Sequence, residues 1–186
     1  MMNRNKIPFS RSNFCYFIFL IPLTLILYAC PFSSPYKLDK EPAIPVDEVL
    51  IGKWATMISD KKGNQLPVKM ILSKKSDNEY NIDFTGNLTD LKRYNIVRED
   101  SIKAAAFISN VADRQFLNID IKGQNYIAAV VYYNDTLSLL PILDGFTAKY
   151  IKSDSDLRSA VEVHIKTRVY PRFDEQFCLR EMVRVN

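Results

Sequence analysis

The sequence predicts a mainly β fold, an antiparallel barrel or sandwich of about 8–10 strands with one or two short helices before the final hairpin. From Glu48 onward, apolar side chains recur at every second residue, which is the period of a half-buried strand. Short segments rich in Asp, Asn, Gly and Lys separate these runs at regular intervals. The 186-residue chain has room for one sizeable core, and we expect a single β-rich domain over residues 48–186.

The alternation is clearest in three early strands, over residues 52–59, 68–72 and 80–85. Further strands are predicted at 90–98, 101–108, 115–122, 125–133 and 136–142. Residues 126–133 (YIAAVVYY) are apolar on both faces of a strand, so they predict a central strand that is covered on both sides.

Residues 143–160 break the alternation and predict one or two short helices, with Asp144 and Ser153 as N-caps. Residues 161–170 (VEVHIKTRVY) return to strict alternation. A helix can also be drawn through them, but their many β-branched residues favour a strand. After a loop at 171–175, residues 177–185 predict a final paired strand.

The N-terminal residues 1–29 have the pattern of an export signal. Three basic residues and no acidic residue precede an uncharged apolar run at 14–29. The run ends in Leu27-Tyr28-Ala29-Cys30, which resembles the lipobox of bacterial lipoproteins. This resemblance implies that residues 1–29 are removed and that Cys30 is acylated. The alternative is an uncleaved membrane anchor, for which 16 apolar residues are short.

The resemblance also implies a location. The mature chain would be lipid-anchored to a membrane of the cell envelope on its extracytoplasmic side, and to the outer membrane if the organism is diderm. Residues 30–47, which begin with the acylated cysteine, contain four prolines and predict a semi-rigid tether. At about 3 Å per residue, this tether would hold the domain some tens of ångströms from the bilayer.

The charge of the chain lies mainly in the leader. The formal net charge is +4, and loss of the three basic residues of 1–29 lowers it to +1. Positive and negative side chains are then interleaved, whereas nucleic-acid binding requires a concentrated basic face. We therefore expect no nucleic-acid partner.

Gly52-Lys53-Trp54 opens the first predicted strand and resembles the Gly-x-Trp motif of the lipocalins. The resemblance implies a β-barrel closed at one end by Trp54, which would pack under a basic side chain of the last strand, Arg180 or Arg184. Such a barrel can hold one small ligand or be filled by its own side chains. The residues expected to point inward, and so to line any ligand cavity, are Met70, Leu72, Ile82, Phe84, Phe116, Tyr126, Val130 and Tyr132.

Catalytic chemistry is poorly represented in the sequence. His164 is the only histidine and is expected on a solvated strand face beside Glu162, Lys166 and Arg168, which argues against a metal site or a general base. Cys178 is expected as a half-buried free thiol. We therefore expect no catalytic residues, no cofactor and no metal.

Two hypotheses remain for the function. The first is an anchored lipoprotein that binds a small apolar ligand or an envelope component. The second is a structural or interaction lipoprotein with a filled core, which acts on an envelope protein through its strand edges and loops. An enzyme that uses carboxylates ranks below both.

Overall fold

The computed structural model describes residues 31–59, 63–86, 101–167 and 172–185. The export signal, Cys30 and the strand predicted at 90–98 lie outside these residues. The elements are β1 (Ser33–Ser34), a 3-10 turn (Glu48–Leu50), β2 (Gly52–Ser59), β3 (Gln65–Lys74), β4 (Tyr80–Gly86), β5 (Ser101–Val111), β6 (Arg114–Ile121), β7 (Gln124–Tyr133), β8 (Thr136–Pro141), α1 (Asp154–Lys166) and β9 (Leu179–Val185). In the described part of the chain, no helix is long and apolar enough to span a membrane.

Among these elements, the eight strands from β2 to β9 close into an antiparallel barrel. Each strand pairs with the next along the chain, and β9 pairs with β2, for example Val183 with Ala55. The short β1 adds to β7 beyond the point where β8 ends, at Asn125 and Tyr126. The predicted mainly β fold is confirmed, in its barrel form. The last strand pairs with β8 and β2, and the described residues 161–167, expected to precede it as a strand, do not pair with it.

The barrel interior is one of two apolar cores. Alternate residues of every barrel strand point inward, and register brings Trp54 beside Met70 and Leu72 beside Ile82. The cluster also includes Tyr80, Leu117, Leu137 and Met182, which are at most 1% exposed. This core follows directly from the period-two pattern of the sequence.

The second core lies outside the barrel, between α1 and the outer faces of β5 to β8. Phe116, Ile127 and Ala129 point outward from their strands and pack with Leu157 and Val161 of α1. Strands β6 and β7 are apolar on both faces because one face lines the barrel and the other lies under the helix. This explains why residues 126–130 are apolar on both faces. The prediction of a covered strand is wrong at its end, because Val131, Tyr132 and Tyr133 are exposed.

The prediction of a strand over 161–170 is wrong for the described residues. Residues 161–166 continue α1, which Ser153 caps by accepting a hydrogen bond from Asp156 N at 3.1 Å, as predicted. Asp144 instead accepts from Gly145 N in a turn, and no helix starts there. Leu157, Val161 and Ile165 recur at helical spacing and are buried on the barrel, so tertiary packing overrides the β propensity of the segment. Of the four side chains expected on one strand face, His164, Glu162 and Lys166 are helical, and Arg168 lies outside the described residues.

The segment expected to be a tether differs from an extended spacer. Pro31 forms a β-bridge with Leu143, and Phe32 N donates to Ile142 O at 3.1 Å. Leu38 is 1% exposed, and its N–H donates to the buried Asn118 Oδ1 at 2.7 Å. From Pro31 onward the chain is therefore packed on the barrel wall, so it adds little distance between Cys30 and the domain.

Candidate functional site

One end of the barrel is closed by Trp54 and Arg184. Trp54 is fully buried, and its Nε1 donates to Leu50 O at 2.9 Å. The Arg184 guanidinium lies over the indole, 4.4 Å from the ring centroid, and donates to Ile51 O at 2.5 Å and Val49 O at 2.6 Å. The guanidinium therefore joins β9 to the 3-10 turn that precedes β2.

Gly52 makes this arrangement possible. A Cβ at this position would lie 2.2 Å from Arg184 Nη1, and the residue has a φ of +151°. The Gly-x-Trp motif therefore has a local physical reason, since the missing side chain leaves the space that the guanidinium occupies. Arg180 is not part of this cluster and instead donates to the Glu175 carboxylate at 2.7 and 2.9 Å.

Tyr132 completes the closed end. Its ring meets Trp54 edge-on at 6.2 Å, and its hydroxyl donates to Asp135 Oδ1 at 2.8 Å. That hydrogen bond raises the pKa of Tyr132, because it stabilises the protonated phenol beside a carboxylate. The cluster thus closes this end of the barrel through ring packing and hydrogen bonds.

The residues expected to line a cavity divide into two groups. Met70, Leu72 and Ile82 are 1–5% exposed, so they have almost no contact with water-sized space. Phe84 and Val130 are partly buried against the same core, and Tyr126 lies on the same face of β7 as Ala128. Met70, Leu72 and Ile82 are thus packed core residues, whereas Phe84, Tyr126 and Val130 keep some accessible surface.

The prediction that Phe116 points into the barrel is wrong, because its side chain packs in the outer core. Alternation could not assign its direction. Its neighbour Leu117 is equally apolar and is the residue that points inward. A strand that is apolar on both faces gives no sequence signal for which face is which.

A cleft opens on the outside of the barrel, between α1 and residues 143–149. Its volume is about 420 Å³, and it is open to solvent on one side. Its walls are mainly apolar, and they are formed by Leu143, Gly145, Phe146, Thr147, Lys149, Ser159, Ala160, Val163, His164 and Thr167. We call this the outer cleft. The sequence did not predict the outer cleft, because one of its walls is the helix that was predicted as a strand. The helical spacing of Ala160, Val163 and Thr167 is the pattern that could have indicated this wall.

Polar groups lie at the margin of the outer cleft. His164 Nε2 donates to Arg172 O at 2.9 Å, so in the neutral ring Nδ1 is an acceptor. The imidazole packs edge-on against Phe146, with 5.4 Å between centroids. Lys149 Nζ donates to Asp156 at 2.8 Å, and this hydrogen bond holds the pKa of Asp156 below its usual value. The outer cleft thus combines an apolar wall with a few oriented polar groups, the usual composition of a small-molecule site.

Burial raises the pKa of two further side chains, Cys178 and Asp174. Burial raises the pKa of the Cys178 thiol to about 11, so the reactive thiolate is scarce at neutral pH. Burial also raises the pKa of Asp174, which is 6% exposed. Within the described ranges, no three His, Cys, Asp or Glu side chains come close enough together to hold a metal ion.

Comparisons of the chain with protein-family models, with curated proteins and with solved structures found no match. The functional interpretation therefore depends on the chain's own residues.

Proposed function

We propose that this protein is an anchored, extracytoplasmic lipoprotein that binds a small apolar ligand in the outer cleft. The observation that carries the proposal is the volume of about 420 Å³ behind mainly apolar walls. Ligand pockets in proteins typically have about 300–1,000 Å³ and are lined in this way. The burial of Met70, Leu72 and Ile82 to 5% exposure or less supports the outer cleft over the barrel lumen.

The anchoring part of the proposal is supported by the lipobox-like sequence that ends at Cys30. The closed antiparallel barrel with its Gly-x-Trp opening also suits a lipocalin-like lipoprotein. Labelling cells with radioactive palmitate tests the anchor directly. The wild-type chain is expected to take up label and Cys30→Ala to lose it, while equal label in both would refute the anchor.

Native mass spectrometry of the full chain, extracted from membranes in a mild detergent, tests the binding part. We expect a co-purified apolar molecule on the wild-type protein and much less of it on Val163→Gln. Val163 lines the outer cleft and is 60% exposed, so the fold should tolerate this change. Ile71→Gln is the matched control, because Ile71 is 43% exposed on β3 and does not line the outer cleft. Equal occupancy in both variants would contradict binding in the outer cleft.

A second candidate function is docking of an envelope protein on the barrel wall. The outer faces of β7, β9 and β2 expose apolar side chains, with Tyr133 at 70%, Met57 at 54%, Val183 at 52% and Val131 at 41%. Register connects them, since Thr136 pairs with both Tyr133 and Val183. Exposed apolar surface of this kind is typical of interaction sites.

A photo-crosslinking amino acid separates the second candidate from the first. Placed at Tyr133, it should give one specific protein adduct in cells, whereas the same group at Asn81, which is exposed on β4, should give none. The same adducts from both positions would argue against a docking surface.

A further inference from the structure

We propose that the outer cleft holds a fatty acyl chain, and that the lipid-bearing end of the protein lies beside its mouth. This inference rests on the proposed function and gives the chemical class of the ligand. Two sources could supply the acyl chain: the lipid attached to Cys30 and a separate membrane lipid.

The first argument is the position at which the described chain begins. Pro31 is bridged to Leu143, and Leu143 is itself a wall residue of the outer cleft. Cys30 is joined to Pro31 by one peptide bond, which spans about 3.8 Å between Cα atoms. An acyl chain on Cys30 would therefore start one residue before Pro31, whose bridge partner Leu143 forms part of the wall of the outer cleft.

The second argument is a continuous apolar path from Pro31 to the helix. Phe32 packs edge-on against Phe146 with 4.8 Å between ring centroids, and Phe146 packs edge-on against His164 at 5.4 Å. Beyond Phe146, Ala160 and Val163 of α1 form the opposite wall. A flexible hydrocarbon chain fits a surface of this kind, because its binding needs apolar area and no oriented donor or acceptor.

The third argument is the polar group at the margin. The ammonium group of Lys149 has three N–H donors and uses one of them on Asp156 at 2.8 Å. An acyl group ends in an ester, amide or carboxyl carbonyl, which accepts hydrogen bonds. The remaining donors of Lys149 can meet such a carbonyl while the hydrocarbon lies along the apolar wall.

The burial of the chain from Pro31 to Leu38 supports the same arrangement. Pro31, Ser34 and Leu38 are buried against the barrel, and β1 fixes the segment to β7. A free spacer would let the anchor move far from the outer cleft, whereas a segment held in this way keeps the two together.

Photo-crosslinking with a palmitate analogue that carries a diazirine on its alkyl chain tests the inference. Cells that express the full chain are fed the analogue and irradiated, and the adducts are located by peptide mass spectrometry. We expect adducts within residues 143–149 and 159–167. Val163→Gln should reduce them roughly tenfold, as for the loss of one apolar contact residue, and Ile71→Gln should leave them unchanged.

The Cys30→Ala variant identifies the source of the acyl chain. Adducts that join the outer cleft to the peptide beginning at residue 30 and vanish in this variant indicate the chain's own lipid. Adducts that persist in it indicate a separate membrane lipid. Adducts only outside the outer cleft, or equal adducts in Val163→Gln and wild type, would overturn the inference. A non-acyl molecule found in the outer cleft by native mass spectrometry would also overturn it while leaving the binding part of the proposed function intact. Absence of palmitate on Cys30 would refute the anchor and, with it, a lipid-bearing end beside the outer cleft.

Discussion

Replacing Gly52 with alanine should displace the Arg184 guanidinium at the closed end of the barrel. The new Cβ would lie 2.2 Å from Arg184 Nη1, so the guanidinium must leave its place over Trp54. It would also lose its hydrogen bonds to Ile51 O and Val49 O. The substitution therefore perturbs the one contact that joins β9, the 3-10 turn and the indole.

The expected loss has a backbone part and an Arg184 part. Holding a non-glycine residue at a φ of +151° costs about 1–3 kcal/mol. The two exposed hydrogen bonds and the cation–π contact of Arg184 together contribute about 1–3 kcal/mol. Gly52→Ala should thus lower the free energy of unfolding by about 2–5 kcal/mol. Gly123→Ala is the control, because its φ is +82° and a Cβ added there would have no other atom within 4 Å, so it should cost only about 1–2 kcal/mol.

Urea unfolding of the full chain in mild detergent measures these differences. Trp54 is the only tryptophan, so its emission reports on this end of the barrel, and far-ultraviolet circular dichroism reports on the whole fold. A double-mutant cycle isolates the Arg184 part. In an Arg184→Ala background, Gly52→Ala should cost about 1–3 kcal/mol less than in the wild type. Additive effects of the two substitutions would refute the reasoning.

Three further substitutions or reactions test the buried polar groups. Asn118→Leu should lower the free energy of unfolding by about 2–4 kcal/mol in urea titrations, because the Leu38 N–H loses its acceptor inside the fold. The control Asn110→Leu should change the free energy of unfolding little, because the Asn110 side chain is exposed. Asp174→Asn should gain stability relative to wild type as pH rises from 3 to 7. Burial raises the pKa of Asp174 in the folded state above 3.8, so the stability that the protonated carboxyl contributes to the wild type is lost as this carboxyl ionises. A constant difference in the free energy of unfolding across that range would contradict the burial argument. Cys178 should react slowly with N-ethylmaleimide at pH 8 until urea unfolds the chain. Equal reaction rates in the folded and unfolded chain would show an accessible thiol. The contribution of the Cys178 thiol to the free energy of unfolding should fall as pH rises from about 9 to about 11.

The barrel could be predicted from sequence because its interior imposes a strict period of two. Met70, Leu72, Ile82 and Phe84 recur at every second residue, and all but Ile71 of the residues beside them are polar, so the pattern determines both the strand and its inward face. Where the outer core covers a strand, both faces are apolar, so the sequence no longer distinguishes the inward face from the outward face. On β6, Phe116 and Leu117 are both buried, and only the position of α1 decides which of them points outward.

The helix and the outer cleft needed information that local sequence does not carry. Val161, Val163 and Ile165 alternate like a strand, yet Leu157, Val161 and Ile165 also share one helical face. The barrel wall selects the helix because it supplies an apolar surface for that face, and the Ser153 cap was the local feature that agreed with it. Similarly, the motif predicted a basic residue over Trp54, but two arginines of the last strand fit equally well until the register of β9 was known.

Methyl nuclear magnetic resonance of the full chain, extracted in deuterated detergent with its bound molecule, tests the central claim most directly. The account predicts nuclear Overhauser effects from the apolar ligand to the methyl groups of Leu143, Ala160 and Val163, which line the outer cleft. Effects confined to Leu72 and Ile82 in the barrel interior, with none at α1, would contradict it.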